Sequence, residues 1–168
     1  MAGILVYGFG PYQTFRENVS ERSVLSLTRS LRVHRKVFDV KFDRAMFERT
    51  LERLKPEVVI GMGQHPRARK LRLERRARRT GCAPRAVSLD LPRTADTTVT
   101  YDAGRYVCNY SMWVVQGWCA KHGARFAFMH VPMNYAPARV ARYLREFIRT
   151  LRTGGAARSS RHARRRSR

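Results

Sequence analysis

The chain has 168 residues, of which 43% are hydrophobic, and this composition suits one folded domain with a buried core and excludes a disordered protein. Its 35 Lys and Arg residues exceed its 12 Asp and Glu residues, so the formal net charge is +23. No apolar run reaches the roughly 18 residues that a membrane-spanning helix needs, so we expect no membrane-spanning segment.

Hydrophobic periodicity predicts alternating strands and helices. In chain order, the predicted elements are a strand at residues 3–9, a helix at 18–31, a strand at 33–42, a helix at 43–54, strands at 57–62 and 70–76, a helix at 106–121, a strand at 125–131 and a helix at 136–151. Asn18 or Ser20 is suited to cap the first helix, and Asp43 the second. Residues 84–101 show no periodicity, and the charges of residues 70–76 count against a strand there.

This alternation predicts an α/β fold, a single three-layer domain with a mainly parallel central sheet and helices on both faces. We expect the domain to cover residues 1–152. Residues 153–168 consist mainly of Gly, Ser, Ala and Arg, which leave little to bury, so a disordered basic tail is predicted. Functional sites of such folds lie at the carboxyl ends of the strands, where residues 8–12, Gly63, Gln64 and His130 are expected.

The cysteine usage favours a reducing environment. Cys82, Cys108 and Cys119 are odd in number and lack the spacing of a disulfide framework, so a cytoplasmic location is predicted. Residues 1–6 lead directly into the first strand without a basic leader or a cleavage site, and we expect no signal peptide. No group of Cys and His residues has zinc-like spacing, so neither a metal nor another cofactor is predicted.

Arginine-rich segments at residues 67–79 and in the tail carry much of the positive charge. Such a charge predicts non-specific binding of polyanions, including RNA, at low salt. The alternative interpretation is a biased composition on a solvated surface, because these segments lack aromatic stacking platforms and a recognisable DNA-reading helix.

Three residues suggest a cysteine nucleophile with its base. Cys108 lies where a loop is predicted to turn into a helix, whose free N–H groups and dipole stabilise a thiolate. His130 ends an apolar strand and is suited to act as a general base, and Glu74 is suited to orient the imidazole. Taken singly, Cys108 is also compatible with a small buried residue, His130 with a structural histidine, and Glu74 with a surface carboxylate among arginines.

Several short motifs resemble those of the pyroglutamyl peptidase I (pyrrolidone-carboxylate peptidase) family. In chain order they are Gly8-Phe9-Gly10-Pro11-Tyr12, then Gly63-Gln64 followed after nine residues by Glu74-Arg75 and Ala77, then Ala103-Gly104-Arg105-Tyr106-Val107-Cys108-Asn109, and Phe128-Met129-His130-Val131-Pro132. Their order and spacing along the chain make the resemblance more specific than any single motif. The resemblance implies a single α/β domain with a sheet that is mainly parallel.

The resemblance also implies a function. Members of the family are cysteine exopeptidases that hydrolyse the amide bond after an N-terminal pyroglutamyl residue through an acyl-enzyme. Cys108 matches the nucleophile, His130 the base, and Glu74 the residue that orients His130. Further matches are Gln64, expected to polarise the scissile carbonyl, and Phe9, Tyr12, Tyr106 and Val107, expected to line the pocket for the pyrrolidone ring. The implied partners are peptides with an N-terminal pyroglutamate, and a homo-oligomer is compatible with the resemblance.

The chain departs from the family pattern between and after these motifs. The segment between the glutamate and cysteine motifs is shorter, Arg78 and Arg79 replace apolar and Asn residues, and residues 65–67 replace a glycine-rich loop. Arg85 is the nearest match to the family's oxyanion arginine. These departures leave an alternative function open, in which a degenerate, inactive or re-targeted member binds RNA or another polyanion through its arginine-rich surface.

Overall fold

Strands and helices alternate along the chain, as the sequence predicted. The computed structural model describes the backbone of residues 3–165 and the side chains of residues 3–153. The strands described there are β1 (Ile4–Phe9), β2 (His34–Phe38), β3 (Val58–His65), β4 (Leu71–Glu74), β5 (Arg76–Ala77), β6 (Arg85–Ala86), β7 (Thr97–Thr100) and β8 (Arg125–Pro132). The α-helices are α1 (Val19–Leu25), α2 (Arg44–Leu54), α3 (Val107–His122) and α4 (Pro137–Arg165).

The central sheet has the strand order β2-β1-β3-β8-β4-β7. Neighbouring strands are parallel except β4 and β8, which run antiparallel with Arg72 opposite His130. β5 and β6 form a separate antiparallel pair. The predicted α/β architecture with a mainly parallel sheet is confirmed, and the antiparallel β4 is the feature that the sequence pattern did not specify.

Helices cover both faces of this sheet. α1 and α4 pack on one face, against strand residues that include Ile4, Ile60 and Met129. α2 and α3 pack on the other face, against strand residues that include Leu5 and Phe128. Because successive side chains of a strand point to opposite faces, each central strand supplies both cores, which is why these strands read as continuous apolar runs.

Two predicted elements are shorter in the structure. The helix expected at residues 18–31 ends at Leu25, and Arg29–Leu31 form a separate 3-10 helix. Leu27 and Leu31 are nevertheless buried. Their spacing in the sequence therefore indicated buried positions correctly but not a continuous helix. The strand expected at residues 33–42 ends at Phe38, where the chain turns and the Lys41 amide donates to the Asp39 carbonyl at 3.0 Å.

Residues 84–101, which show no periodicity, contain two strands. β7 reads Thr97-Thr98-Val99-Thr100 and lies at the edge of the central sheet, so it lacks the alternating apolar residues of a half-buried strand.

β4 lies within the segment 70–76, with Leu71 and Leu73 buried. Within β4, the charged residues Arg72 and Glu74 alternate with the two leucines and so lie on the other face of the strand. The remaining charges of this segment lie beyond the ends of β4.

α4 continues to Arg165 and so passes residue 152, where the sequence predicted the domain to end. Ala and Arg favour helix, and they recur through this segment. Residues 166–168 of the predicted tail lie outside the described residues. The division of the chain into a domain and a disordered tail stays a prediction. Among the described residues, no helix has the length and apolar character to cross a membrane.

Gly61 on β3 provides a test of the aromatic core between the sheet and α3. A β-carbon at Gly61 would approach Phe128 Cδ2 and Tyr7 Cζ to 2.5 Å, and both rings are fully buried. We therefore expect Gly61→Ala to lower the free energy of unfolding by about 1–3 kcal/mol through overpacking. Gly3→Ala is the matched control, because the nearest atom to its added carbon is Pro56 Cα at 3.8 Å. Urea denaturation of both variants measures the difference, and equal stabilities would contradict this packing.

Candidate active site

Cys108 is the second residue of α3. The helix begins after Tyr106, whose backbone is extended and whose side chain makes no capping hydrogen bond. The first N–H groups of a helix have no partner within it, and the helix dipole places partial positive charge there. The half-buried Cys108 thiol therefore lies where a thiolate is stabilised.

The alternation of side chains along the strands places two polar residues, His130 and Glu74, on the sheet face that α3 covers. Phe9 and Phe128 belong to the core beneath α2 and α3, so residues two positions along on the same strand face that side as well. His130 is such a residue on β8, and its register partner on β3 is Gly63. On β4, Arg72 lies directly opposite His130. Glu74 lies two residues further along β4, so it is the diagonal neighbour of His130.

His130 and Glu74 form a buried hydrogen bond. The distance from His130 Nδ1 to Glu74 Oε1 is 2.8 Å, and the two residues are 4% and 1% exposed. Because an ionised carboxylate only accepts hydrogen bonds, Nδ1 carries the proton and Nε2 is left for another partner. The carboxylate also accepts hydrogen bonds from Arg72 Nε at 3.1 Å and from Thr100 Oγ1. Glu74 is thereby held on both oxygens.

Gly63 lets the cysteine and the histidine meet. A β-carbon at Gly63 would collide with Cys108 Sγ and would lie 3.2 Å from His130 Cδ2, the ring carbon bonded to Nε2. The sulfur and the Nε2 edge of the imidazole therefore lie together over the same point of β3. The structure thus brings the predicted residues Cys108, His130 and Glu74 into one group, although they are far apart in the sequence.

The charges of this group shift the pKa values of its members. Burial alone lowers the pKa of His130, but the hydrogen bonds and negative charges of Cys108 and Glu74 outweigh burial and raise it to about 9. Burial alone raises the pKa of Glu74, but the hydrogen bond and positive charge of His130, with the bonds from Thr100 and Arg72, lower it. His130 is therefore protonated and Glu74 ionised at neutral pH.

A small pocket of about 190 Å³ opens beside Cys108 and His130. Its walls include the predicted residues Phe9, Tyr12, Gln64, Tyr106 and Val107. It is smaller than the roughly 300–1,000 Å³ of typical ligand sites, so it suits a small group rather than a long chain. The described residues contain no group of three or more His, Cys, Asp or Glu side chains placed to hold a metal ion.

Gln64 has one satisfied and one free end. Its Oε1 accepts a hydrogen bond from the Val19 amide at 2.9 Å, which ties the end of β3 to the start of α1. Its Nε2 is buried and has no hydrogen-bond partner among the described residues. A buried donor without a partner is costly, and a substrate oxygen in the pocket is the partner that would relieve that cost.

Arg85 lies away from this pocket, contrary to the oxyanion role predicted for it. Its guanidinium stacks over the Trp113 ring at 4.0 Å and donates to the Trp113 carbonyl at 2.7 Å. Trp113 is five residues after Cys108, or about 7 Å along the helix axis. Arg85 is the first residue of β6 and lies against the side of α3, not at the start of the helix.

Several residues of the site were not indicated by the sequence. Asn18, Val40, His65, Pro66 and Ala103 also line the pocket. The His65 ring lies edge-on to the His130 ring, with 5.4 Å between centroids. Burial lowers the pKa of His65, and the positive charges of His130 and Arg72 lower it further. The position of His65 directly after Gln64 was the sequence signal that could have identified it. Nothing in the pattern of residues 84–101 indicated that Thr100 would bind Glu74.

Comparisons with known proteins bear on the family and the fold. No protein-family model matches the chain. A pyrrolidone-carboxylate peptidase from Thermococcus litoralis is 29% identical over 181 aligned positions, covering 83% of this chain and 80% of the relative. The chain is therefore similar in sequence to a pyrrolidone-carboxylate peptidase, a pyroglutamyl peptidase I. The resemblance predicted from the motifs is thereby confirmed.

Solved structures of pyroglutamyl peptidases share the fold. Pyrrolidone carboxyl peptidase from Thermococcus litoralis matches with a TM-score of 0.75 at 21% identity, over 92% of this chain and 96% of the other. Pyroglutamyl peptidase I from Bacillus amyloliquefaciens matches with a TM-score of 0.77 at 18% identity, over 86% and 94%. At these identities the likeness concerns the fold, which is the single α/β domain described above.

The raised pKa of His130 predicts a specific pH dependence of stability. A folded pKa of about 9, above the ordinary value of 6.5, adds stability that is complete below pH 6.5 and is lost as the pH rises toward 9. In Glu74→Gln the amide still accepts from Nδ1 but the charge is gone, so we expect the pKa of His130 to fall by roughly 1 to 3 pH units. NMR titration of the His130 ring and denaturation across this pH range measure both effects.

Glu146→Gln is the control for this pair, because Glu146 is an exposed carboxylate on α4. It removes one negative charge without touching the site, so the titration of His130 should stay as in the parent protein. An unchanged His130 titration in Glu74→Gln would show that the carboxylate does not hold the imidazolium.

Proposed function

We propose that this chain is a cysteine peptidase that hydrolyses the amide bond after an N-terminal pyroglutamyl residue. The observation that carries the proposal is the meeting of Cys108 Sγ with the Nε2 edge of His130 over Gly63, at the wall of a small pocket. A nucleophile, a base and a group that orients the base are the parts that covalent acyl transfer requires. The similarity to a pyrrolidone-carboxylate peptidase supports pyroglutamyl as the acyl group.

The pocket suits the pyrrolidone ring as substrate. Phe9, Tyr12, Tyr106 and Val107 supply mostly apolar walls for a flat, neutral lactam, as the resemblance implied. Asn18 and Gln64 bring polar groups to the same walls. The ring would be held while its exocyclic carbonyl is presented to Cys108.

Acylation begins with a thiolate and an imidazolium. The Cys108 thiolate attacks the carbonyl carbon, and the carbonyl electrons move onto oxygen to give an oxyanion. Gln64 Nε2 and the free N–H groups at the start of α3 are the donors that stabilise it. His130 then gives its Nε2 proton to the leaving amine, the C–N bond breaks, and a thioester remains.

Deacylation reverses these roles. Neutral His130 takes a proton from water, the hydroxide attacks the thioester, and the sulfur leaves as thiolate with His130 protonated again. Pyroglutamate is released. Glu74 keeps Nδ1 protonated throughout and stabilises each imidazolium.

Cys108→Ala tests the nucleophile. We expect the rate of release of a fluorophore from a pyroglutamyl coumarin amide to fall by about 10³-fold or more, because no thioester can form. Cys82→Ala is the matched control, since it removes an exposed thiol on a loop and should retain the activity. Circular dichroism of both variants reports folding. Equal activity in Cys108→Ala and the parent protein would remove the thiol from the mechanism.

Gln64→Glu tests the oxyanion donor. Glutamate keeps an oxygen that accepts from the Val19 amide but replaces the free NH₂ group with a second oxygen. We expect kcat to fall by about 10²- to 10³-fold with a smaller change in KM, because the donor acts mainly on the developing oxyanion. Gln116→Glu makes the same chemical change away from the pocket and serves as the control. A loss confined to KM would assign Gln64 to substrate binding alone.

The alternative function, a polyanion-binding protein, stays a prediction. One structural observation favours it: a shallow basic cleft lined by Arg67, Arg69, Lys70 and Arg72. That function would need neither Cys108 nor the pocket beside it. The cytoplasmic location and the homo-oligomer predicted from the sequence also stay predictions.

A further inference from the structure

A second and larger cleft lies directly beside the catalytic pocket. It has a volume of about 720 Å³ and is lined by Phe42, Arg44, Arg78, Arg79, Thr80, Asp102, Gly104, Arg105, Tyr106, Asn109, Tyr110, Trp113 and Val114. We call it the arginine cleft. Tyr106 lines both this cleft and the catalytic pocket, so the two cavities meet at one side chain.

The arginine cleft carries an excess of positive charge. Four arginines line it against one acid, Asp102. Arg44 is paired with Glu48 at 2.7 Å. Within residues 3–153, no carboxylate lies within ion-pair distance of the exposed guanidinium groups of Arg78, Arg79 and Arg105. These three cations are free to bind an anion from outside the described chain.

The backbone that carries Arg78 and Arg79 is tied to the residue after the nucleophile. Asn109 follows Cys108 directly and is buried. Its Oδ1 accepts from the Arg78 amide at 2.8 Å, and its Nδ2 donates to the Arg78 carbonyl at 2.8 Å. This pair of hydrogen bonds holds the backbone of Arg78 against the start of α3, so the Arg78 and Arg79 side chains extend from a fixed point beside Cys108.

Exposed aromatic rings lie where the two cavities meet. Tyr106 is 43% and Phe42 is 58% exposed, and their rings lie edge to face with 5.6 Å between centroids. Such a surface suits the backbone and apolar atoms of a peptide. The cleft begins close to Cys108, because Asn109 and Tyr106 both line it. Since an extended peptide spans about 3.4 Å per residue, the residues directly after the scissile bond are the ones placed to enter it.

We infer that the arginine cleft binds carboxylate groups of the peptide segment that follows the pyroglutamyl residue, so that the enzyme prefers acidic peptides. Guanidinium groups bind carboxylates through paired N–H donors, and the charge of +23 attracts such substrates at long range. The inference rests on the proposed function. The carboxylate has two sources, acidic side chains and the free C-terminus of a short peptide.

The test compares four-residue peptides that begin with pyroglutamate. One series has Glu and Asp at the next two positions and the other has Gln and Asn, each with a free or an amidated C-terminus. For every enzyme, kcat/KM is divided by that for the pyroglutamyl coumarin amide, which cancels changes in the catalytic centre. We expect a preference of roughly 5- to 10-fold for the carboxylate-bearing peptides at low salt, lost at high salt.

The variants separate the cleft from the overall charge. In the double variant Arg78→Gln/Arg79→Gln, the preference should fall to about 1. The double variant Arg142→Gln/Arg149→Gln removes the same charge from exposed positions on α4, on the other face of the sheet, and should keep the preference. Equal preferences in both double variants, or none in the parent protein, would overturn the inference. The comparison of free and amidated peptides distinguishes binding of an acidic side chain from binding of the C-terminal carboxylate.

Binding of labelled peptides to Cys108→Ala, measured by fluorescence anisotropy, keeps this test independent of turnover. A preference for acidic pyroglutamyl peptides that depends on Arg78 and Arg79 would support the inference. Stronger competition by a short RNA than by the acidic peptide would assign the cleft to nucleic acid and overturn it. Absence of coumarin-amide hydrolysis by the parent protein would instead count against the proposed function.

Discussion

The buried hydrogen bond between His130 Nδ1 and Glu74 Oε1 joins β8 to β4 across the antiparallel pair of the central sheet. A carboxylate and an imidazole out of contact with water are costly unless each is paired, and here Thr100 and Arg72 complete the set of partners on Glu74. The bond fixes which nitrogen of the ring carries the proton. It thereby fixes which nitrogen meets Cys108, and the chemistry of the pocket depends on that choice.

Close approach is the second constraint on the site. α3 can bring Cys108 over β3 only because Gly63 has no side chain at the point of contact. The same helix start carries Tyr106, the shared wall of the pocket and the arginine cleft, and Asn109, which holds the turn with Arg78. Tyr106, Cys108 and Asn109, at the start of one helix, therefore position the proposed nucleophile, a wall of the pocket and a nearby cluster of positive charge.

The segment between β4 and α3 holds the arginines that depart most from the sequence-based expectations. Arg85 packs along Trp113, whereas the Nε2 of Gln64 is, in the described part of the chain, the buried donor without a partner in the pocket beside Cys108. Arg78 and Arg79, which depart from the family pattern, lie beside the start of α3 rather than on a remote surface. Two of the departures, Arg78 and Arg79, thus lie in the arginine cleft, while His65 and Pro66 line the smaller pocket.

Local patterns were sufficient for much of the fold. The alternation of strand and helix patterns along the chain, with apolar runs at β3 and β8, predicted a mainly parallel sheet with helices on both faces. The position of Cys108 at the start of α3 followed from the same reasoning. β7 could not be predicted, because an edge strand of Thr and Val has no alternation, and with it Thr100 was missed.

The sequence by itself determined the class of the fold, the order of the motifs and the residues with nucleophilic or basic chemistry, because these depend on residue type and on spacing within one element. Only the tertiary structure decided which of them meet. The antiparallel pairing of β4 placed Glu74 diagonal to His130, and the packing of Arg85 on α3 kept it from the pocket. Such contacts join residues distant along the chain, and their geometry is set by how whole elements pack rather than by any local preference.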